Sequence, residues 1–285
     1  MGLRIQNNIE AFNTHRQLTA TASQASKSME KLSSGYRINR AADDAAGLGI
    51  SEKMRGQIGG LDQAQRNAED GISLVQTAEG ALSEVHSMLE RVRDLKVQLN
   101  NGTLDDNDKN SIGAEVGQIA SEVKDILTDT QFNGKTVFGS NDSFTFQVGA
   151  NEGETITLAA TSLSTHGFSH GGLSELTNLA GGVASDVATA LCSGALSSID
   201  RLDSMIENVS KARGVYGAVQ NRLEHRLANL ATYQENLTAS ESRIRDVDMA
   251  SEMTKFTKLN ILQQAGTSML AQANQAPQNV LSLLR

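Results

Sequence analysis

Tryptophan is absent from this chain, and aromatic residues of all kinds make up only 4% of it. Apolar residues reach 39%, below the ~45–50% usual for a soluble domain, a reference that also counts Gly. There is one proline, Pro277, in 285 residues. Proline removes an amide donor and clashes with the preceding helical turn, so its scarcity suits long helices and excludes a Pro-rich disordered chain or a collagen. The one cysteine, Cys192, cannot form an internal disulfide, which excludes a disulfide-stapled module and leaves it as a small core hydrophobe. No continuous apolar run opens the chain, so no secretory signal is expected in Met1–Glu10. The longest uncharged stretch, Leu259–Leu284, is crowded with Gln and Asn that hydrocarbon would leave without partners, so no membrane insertion is expected.

Charge is unevenly spread over the net −8. Residues 1–40 carry six Lys/Arg against Glu10 and Glu30, a net of +4, and residues 241–285 a net of +1, leaving −13 for the middle. Weakly basic ends on an acidic body lack the dense basic patch or aromatic platforms of a nucleic-acid binder.

What the chain does contain is heptad-like spacing. Leu18, Ala22, Ala25, Met29 and Leu32 follow one another at 4, 3, 4, 3, and Ile5, Ile9 and Phe12 extend the row upstream. This predicts an amphipathic helix over the first ~35 residues with a thin seam of small residues, which needs a partner to stay folded. Ser33-Ser34-Gly35 ends it. A second helical stretch is expected at about Asp43–Gln57, interrupted by Gly59-Gly60. A third follows, with Val75, Ala78, Leu82, Val85, Leu89, Val92 and Leu99 on one stripe and Lys96 its only polar member. Val75–Leu99 would run roughly 36 Å at ~1.5 Å per residue. Asn100-Asn101-Gly102 stops it, and Asp105–Asp108 supplies a turn and N-cap. A reversing helix, about Lys109–Thr130, carries Ile112, Val116, Ile119, Val123 and Ile126-Leu127.

The pattern changes after Gln131. Five of the seven Phe lie between Phe132 and Phe168. Phe144, Phe146 and Val148 alternate with Thr145 and Gln147, and Ile156 and Leu158 alternate with Thr155 and Thr157, with Gly149–Glu154 between. This predicts a half-buried hairpin. Residues 161–185 read as Gly/Ser/Thr-rich loop. Helix resumes near Asp186 and runs long, with Leu196, Ile199, Leu202, Ile206, Val209, Val219, Leu223, Leu227, Leu230 and Leu237 on one face, weakened at Gly214 and Gly217. A last helix spans about Met249–Leu284, with Met253, Phe256, Leu259, Leu262 and Met269 apolar. The fold expected is mainly α: a long antiparallel helical bundle or coiled coil with paired N- and C-termini and a small central β-hairpin region.

Catalytic motifs are missing. There is no phosphate-cradling Gly loop ending in Lys-Ser/Thr, no His-Glu-x-x-His and no Cys-x-x-Cys. His166 and His170 are four apart in a Gly-rich segment, a spacing that gathers a metal only on a helix. Asp43-Asp44 are adjacent and do not face one another; negative charge at the start of a helix accounts for them. No catalytic residue, no metal site, no cofactor and no enzyme activity are expected.

The ends do resemble a known family. Leu32-Ser33-Ser34-Gly35-Tyr36-Arg37-Ile38-Asn39, followed by Ala41-Ala42-Asp43-Asp44-Ala45-Ala46-Gly47, resembles the N-terminal signature of bacterial flagellins. So do Asn67-Ala68-Glu69-Asp70-Gly71-Ile72-Ser73 and Gln76–Leu82. Ser242-Arg243-Ile244 with Asp246 and Asp248, Ile261–Ser268, Ala271–Gln275 and Pro277–Arg285 resemble the flagellin C-terminus. The likeness covers roughly residues 1–135 and 190–285.

The resemblance implies a structural subunit of the extracellular flagellar filament, a homopolymer used for swimming, exported unfolded and without a cleaved signal peptide. It implies terminal segments 1–42 and 243–285 in a filament inner core, a rod domain of 43–135 and 186–242 in an outer tube, and a short solvent-facing β-hairpin and loop region at 136–185 with no large outer domain. Subunit packing in the core falls to Ile5, Ile9, Phe12, Leu18, Met29, Leu32, Met253, Phe256, Leu262, Met269, Leu281 and Leu284. The free monomer's ends would be largely disordered. The partners implied are other copies, the flagellar cap and hook-associated proteins, and a cytosolic export chaperone on the C-terminal helix. Leu89–Leu95 resembles the segment recognised by the vertebrate receptor Toll-like receptor 5, the match carrying to Arg91, Leu95 and Glu115, while Glu90 and Lys96 depart from it. Leu89 and Val92 belong to the seam, which would direct Arg91 and Leu95 elsewhere. A hook–filament junction protein is the alternative, disfavoured by the Gln264–Gln275 and Pro277–Arg285 segments. An uninterrupted signalling coiled coil is excluded by Phe132–Gly182.

Overall fold

The computed structural model describes residues 8–138, 143–158, 176, 182, 184–193 and 198–283. Six helices are described: α1 (Ile9–Ser34), α2 (Ala45–Leu99), α3 (Asp106–Asp129), α4 (Ala184–Ser193), α5 (Ile199–Arg245) and α6 (Met249–Leu283). Four short strands, β1 (Gln131–Phe132), β2 (Lys135–Thr136), β3 (Phe144–Gln147) and β4 (Thr155–Leu158), form two antiparallel hairpins. The protein is mainly α, with long helices packed antiparallel. The chain divides into two compact units, residues 1–58 with 235–285, and residues 59–234.

In the larger unit the predicted stripe of α2 is the core. Val75, Ala78, Leu82, Val85, Leu89 and Val92 are fully buried, joined by Ile112, Val116, Ala120 and Val123 of α3 and Leu202, Met205, Val209, Tyr216, Val219 and Leu223 of α5. Cross-strut pairs set the directions. Arg91 meets Glu115 on α3, and Arg93 meets Asp203 while Glu79 meets Arg213 on α5. Both neighbours therefore run antiparallel to α2. Asp105 caps α3 reciprocally with Asp108, as the acidic turn predicted.

Hairpin β3–β4 forms where the alternation predicts one, with Phe144 opposite Leu158 and Gln147 opposite Thr155. Ile156 and Leu158 face inward and Thr155 and Thr157 outward. It lies against Gly71, where a Cβ would come within 3.1 Å of Phe146 and 3.2 Å of Leu223. Asn67 donates to the Gln147 carbonyl and Arg226 to that of Val148.

Two expectations need correction. Gly59-Gly60 does not interrupt α2, which is continuous from Ala45 to Leu99. Each helical glycine costs about 1 kcal/mol relative to alanine, but Leu61, Ala64 and Ala68 just beyond are buried, and their packing outweighs it. The helix expected from Asp186 is two helices. Ser198 starts the second, its hydroxyl accepting from the Asp200 amide at 3.2 Å; Leu196 lies outside the described residues. Hairpin β1–β2 was not foreseen, although its Asn133-Gly134 turn, with φ +50° and +76°, is the dipeptide such turns favour. His166, His170 and the side chain of Cys192 lie outside the described residues.

Candidate assembly surface

The smaller unit is built on the pairing of α1 with α6. Asn8 sits opposite Ala273, Leu18 opposite Gly266 and Ser28 opposite Glu252, so the helices run antiparallel. Asn8 caps α1, its Oδ1 accepting from the Ala11 amide at 3.0 Å, while its Nδ2 donates to the Ala273 carbonyl at 2.7 Å. One residue thus ends one helix and fixes it to the other.

The seam is made of small side chains. Ala25 and Ser28 are buried on α1, and Leu259 and Ala273 on α6. A Cβ at Gly266 would lie 3.2 Å from Leu18, so this close approach uses the glycine. The Ser28 hydroxyl donates to Glu252 Oε1 at 2.5 Å. Burial works to raise the Glu252 carboxyl, but Ser28, Lys255 and Lys31 outweigh it and hold its pKa below the ordinary value.

Larger apolar residues of the same helices face outward. Phe12 is 70% exposed, Ile9 58%, Met29 52%, Met269 58%, Met253 49% and Leu262 47%, with Ile261 beside them. The placement of Met29 on the seam is therefore corrected: the row turns through Ser28, one residue earlier, because at 3.6 residues per turn the stripe drifts against a strict heptad. Leu18, Leu32 and Phe256 are half-buried in the pair. Ile5 and Leu284 lie outside the described residues, as does the side chain of Leu281.

A compact joint ties α1–α2 to α5–α6. Gly35 takes the left-handed C-cap conformation, φ +77°, and its carbonyl accepts from the Val247 amide at 3.0 Å. Arg37 N donates to the Arg245 carbonyl at 2.6 Å, closing an antiparallel bridge between Tyr36 and Asp246. The Arg245 guanidinium lies 4.9 Å above the Tyr36 ring and meets Glu52 at 2.8 Å. That hydrogen bond lowers the Glu52 pKa. Asp43 accepts from the Arg40 and Asn39 amides, which lower its pKa, and Asp44 accepts from the Gly47 amide at the start of α2. The two carboxylates thus hold a turn and a helix end. Sequence reasoning missed this joint, because its partners are some 200 residues apart and nothing local pairs Gly35 with Val247.

In the larger unit, Arg91 and Glu115 form an exposed ion pair, Nη2 to Oε1 2.6 Å and Nε to Oε1 2.9 Å. Leu95 is not turned outward: it is 2% exposed, within the core. The seam widens at this level to take Leu95 and Lys96 side by side. Lys96 is buried and donates to the Leu191 carbonyl. Among the described residues, no group of His, Cys, Asp and Glu is placed to hold a metal, and no helix is long and apolar enough to cross a membrane.

A helical pair that buries Ala25, Ser28, Leu259 and Ala273 between its members, and leaves Phe12, Ile9, Met29, Met253, Leu262 and Met269 outside, keeps an apolar face for association with other chains. Residues 5–143 match the bacterial flagellin N-terminal helical region, and residues 199–284 the bacterial flagellin C-terminal helical region. The chain is 51% identical over 282 residues to a flagellin of Halalkalibacterium halodurans, covering 99% of both chains. It is 47% identical over 304 residues to a flagellin of Bacillus subtilis, covering 99% of this chain and all of that one. It is 43% identical over 297 residues to a flagellar filament 33 kDa core protein of Treponema phagedenis, covering 99% of both. The chain belongs to the bacterial flagellin family.

Proposed function

We propose that this flagellin enters the filament by burying the outer faces of α1 and α6 against the same helices of neighbouring copies. Its role is that of a structural subunit in an extracellular flagellar filament. The observation that carries the reading is the inverted sorting of side chains: Ala25 and Ser28 are inside the pair, while Phe12, Ile9, Met29, Met253, Leu262 and Met269 are outside. Each large apolar side chain that passes from water into a neighbour contributes roughly 1.5–3 kcal/mol. Six such residues, repeated at every subunit, outweigh a seam too thin to hold the ends alone. The uncharged 259–284 segment fits a crowded core, because it brings no charge to desolvate.

In this reading residues 1–42 and 243–285 form the inner core, residues 43–135 and 186–242 the outer tube, and residues 136–185 the solvent-facing part. The same apolar face of α6 would be covered by an export chaperone before secretion, and the chain would pass through the export channel unfolded. Cap and hook-associated proteins would meet the ends of the filament. Recognition by Toll-like receptor 5 would fall to Arg91 and Glu115, with Leu95 contributing only as core beneath them.

The test is seeded polymerisation of the purified chain, read by sedimentation and negative-stain microscopy, beside a form lacking residues 1–40 and 259–285. Long filaments from the full chain alone are expected. Filaments from the shortened form would overturn this account of the ends, and a full chain that stays soluble with seeds would overturn the filament itself.

A further inference from the structure

The larger unit carries a basic cleft that its core does not explain. Arg222, His225, Arg226 and Asn229 on one face of α5 line it together with Val148, Gly153, Glu154, Thr155 and Ile156 of the hairpin, around a volume of about 540 Å³. Arg222 and His225 are exposed, and among the described residues no carboxylate lies within ion-pairing distance of either. Glu154 stands in the cleft wall itself, held by the Asn151 amide and side chain, so two arginines face one carboxylate; Glu224 accepts from Gln220. Arg226 donates one nitrogen to the Val148 carbonyl, which fixes the cleft's wall and leaves its charge uncompensated.

The opposite charge lies at the other end of the same unit. Leu223 packs at the level of Gly71 on α2, and the Arg91–Glu115 pair sets α3 antiparallel, so Asp106 lies beside the end of α2 near Leu99. The 28 residues from Gly71 to Leu99 span about 40 Å of helix. There Asp105, Asp106 and Asp108 are all exposed; Asp106 has 92% of its side chain in solvent and meets Lys109 at 3.1 Å, which leaves the turn a net negative charge from Asp105 and Asp108. Complementary patches at opposite ends of one body allow a head-to-tail contact, which continues into a filament where its rotation does not close a ring.

We propose that the Arg222–His225–Arg226 cleft receives the Asp105–Asp108 turn of a second copy of this chain, giving an electrostatic axial contact between successive subunits. This rests on the filament reading above. The contact adds direction to an association that the apolar helix faces alone would leave unspecific, because like-charged ends repel and only the opposed ends attract.

The experiment compares Arg222→Glu, Asp106→Lys and the double variant with the unaltered chain, each elongating from short seeds of the same protein. Both side chains are exposed, and thermal unfolding by circular dichroism verifies that each variant folds. Arg222→Gln and Asp106→Asn repeat the comparison without reversing charge. At low salt each reversal is expected to slow elongation on the order of tenfold, each neutral variant less, and the double variant to recover most of the rate. Near 1 M salt, where screening acts within ~3 Å, the differences should shrink. Single variants that elongate like the unaltered chain, or a double variant as slow as the slower single, would overturn the axial contact while leaving the filament intact. An unaltered chain that does not elongate would overturn the filament reading and this contact with it.

Discussion

Among the described residues Tyr216 is the largest fully buried side chain, and its hydroxyl has no hydrogen-bond partner there. The ring packs edge-on to Phe138, centroids 6.5 Å apart at 79°. Packing therefore accounts for the aromatic ring, while the oxygen is a buried polar group that costs roughly 1–3 kcal/mol. Tyr216→Phe keeps the ring and removes the oxygen. It should leave the unfolding midpoint unchanged or raise it, and a loss above about 1 kcal/mol would show that the hydroxyl has a partner. Burial also pushes the Tyr216 ionisation well above its ordinary value of 10.0. Above that pH the unfolded chain releases a proton that the folded chain keeps, so stability present below pH 10 falls as the pH rises beyond it. Chemical denaturation at pH 9 and pH 11 should show that fall in the parent, and a smaller one in Tyr216→Phe.

Elements differ in how much of them a sequence can show. The α2 stripe and hairpin β3–β4 are legible because their apolar spacing is local and regular, and the structure buries those same residues. The Asp105–Asp108 cap is legible for the same reason. Continuity of α2 through Gly59-Gly60 is not, because it depends on packing with distant segments. Gly59 has open space where a Cβ would stand, while a Cβ at Gly60 would lie 3.0 Å from the Cβ of Ala150 in the hairpin turn. Two adjacent glycines thus have different reasons to be there. Gly59→Ala should stabilise by about 0.5–1 kcal/mol through helix propensity. Gly60→Ala should gain less or lose, because Ala150 must shift. Equal gains in denaturant midpoints would refute that distinction. The face of α1 shows the other limit. Spacing finds the apolar residues but cannot tell a seam inside one subunit from a face kept for its neighbours, so Met29 reads as seam although Ser28 occupies it. Phe12→Ala tests the difference. It should leave the circular dichroism of the free subunit unchanged and sharply reduce the mass of pelletable filament; a loss of subunit helicity would place Phe12 in the internal pair instead.

At the scale of the whole molecule, the smaller unit is held by few apolar contacts and several charge-assisted ones, which gives it a particular response to acid. Asp43 holds the loop amides of Asn39 and Arg40, Glu52 holds Arg245 at the joint, and Glu252 accepts from Ser28 on the α1–α6 seam. All three have pKa values below their ordinary 3.8 to 4.5. A carboxyl depressed in the folded state contributes stability that is complete above its unfolded value and disappears as the pH falls through the folded one. The loss therefore begins near pH 4.5 and deepens below it. Asp43 and Glu52 are solvent-exposed, which limits what each contributes through screening, so the effect depends on all three being lost over the same interval. The Leu, Val and Ile side chains that fill the larger unit's core do not titrate on acidification. Acidification should consequently release the paired ends before the larger unit unfolds. Filaments brought from pH 7 to pH 3 should depolymerise to subunits that retain most of their helix. Glu252→Gln supplies the decisive comparison, since it replaces the carboxylate by a group that still accepts from Ser28 but does not titrate. Its filaments should be somewhat less stable at pH 7 and lose less of their stability on acidification, measured as the pelletable fraction against pH. An acid profile parallel to that of the parent would show that release is governed by carboxylates at the contacts between subunits, and not by those that close the ends of one chain upon each other.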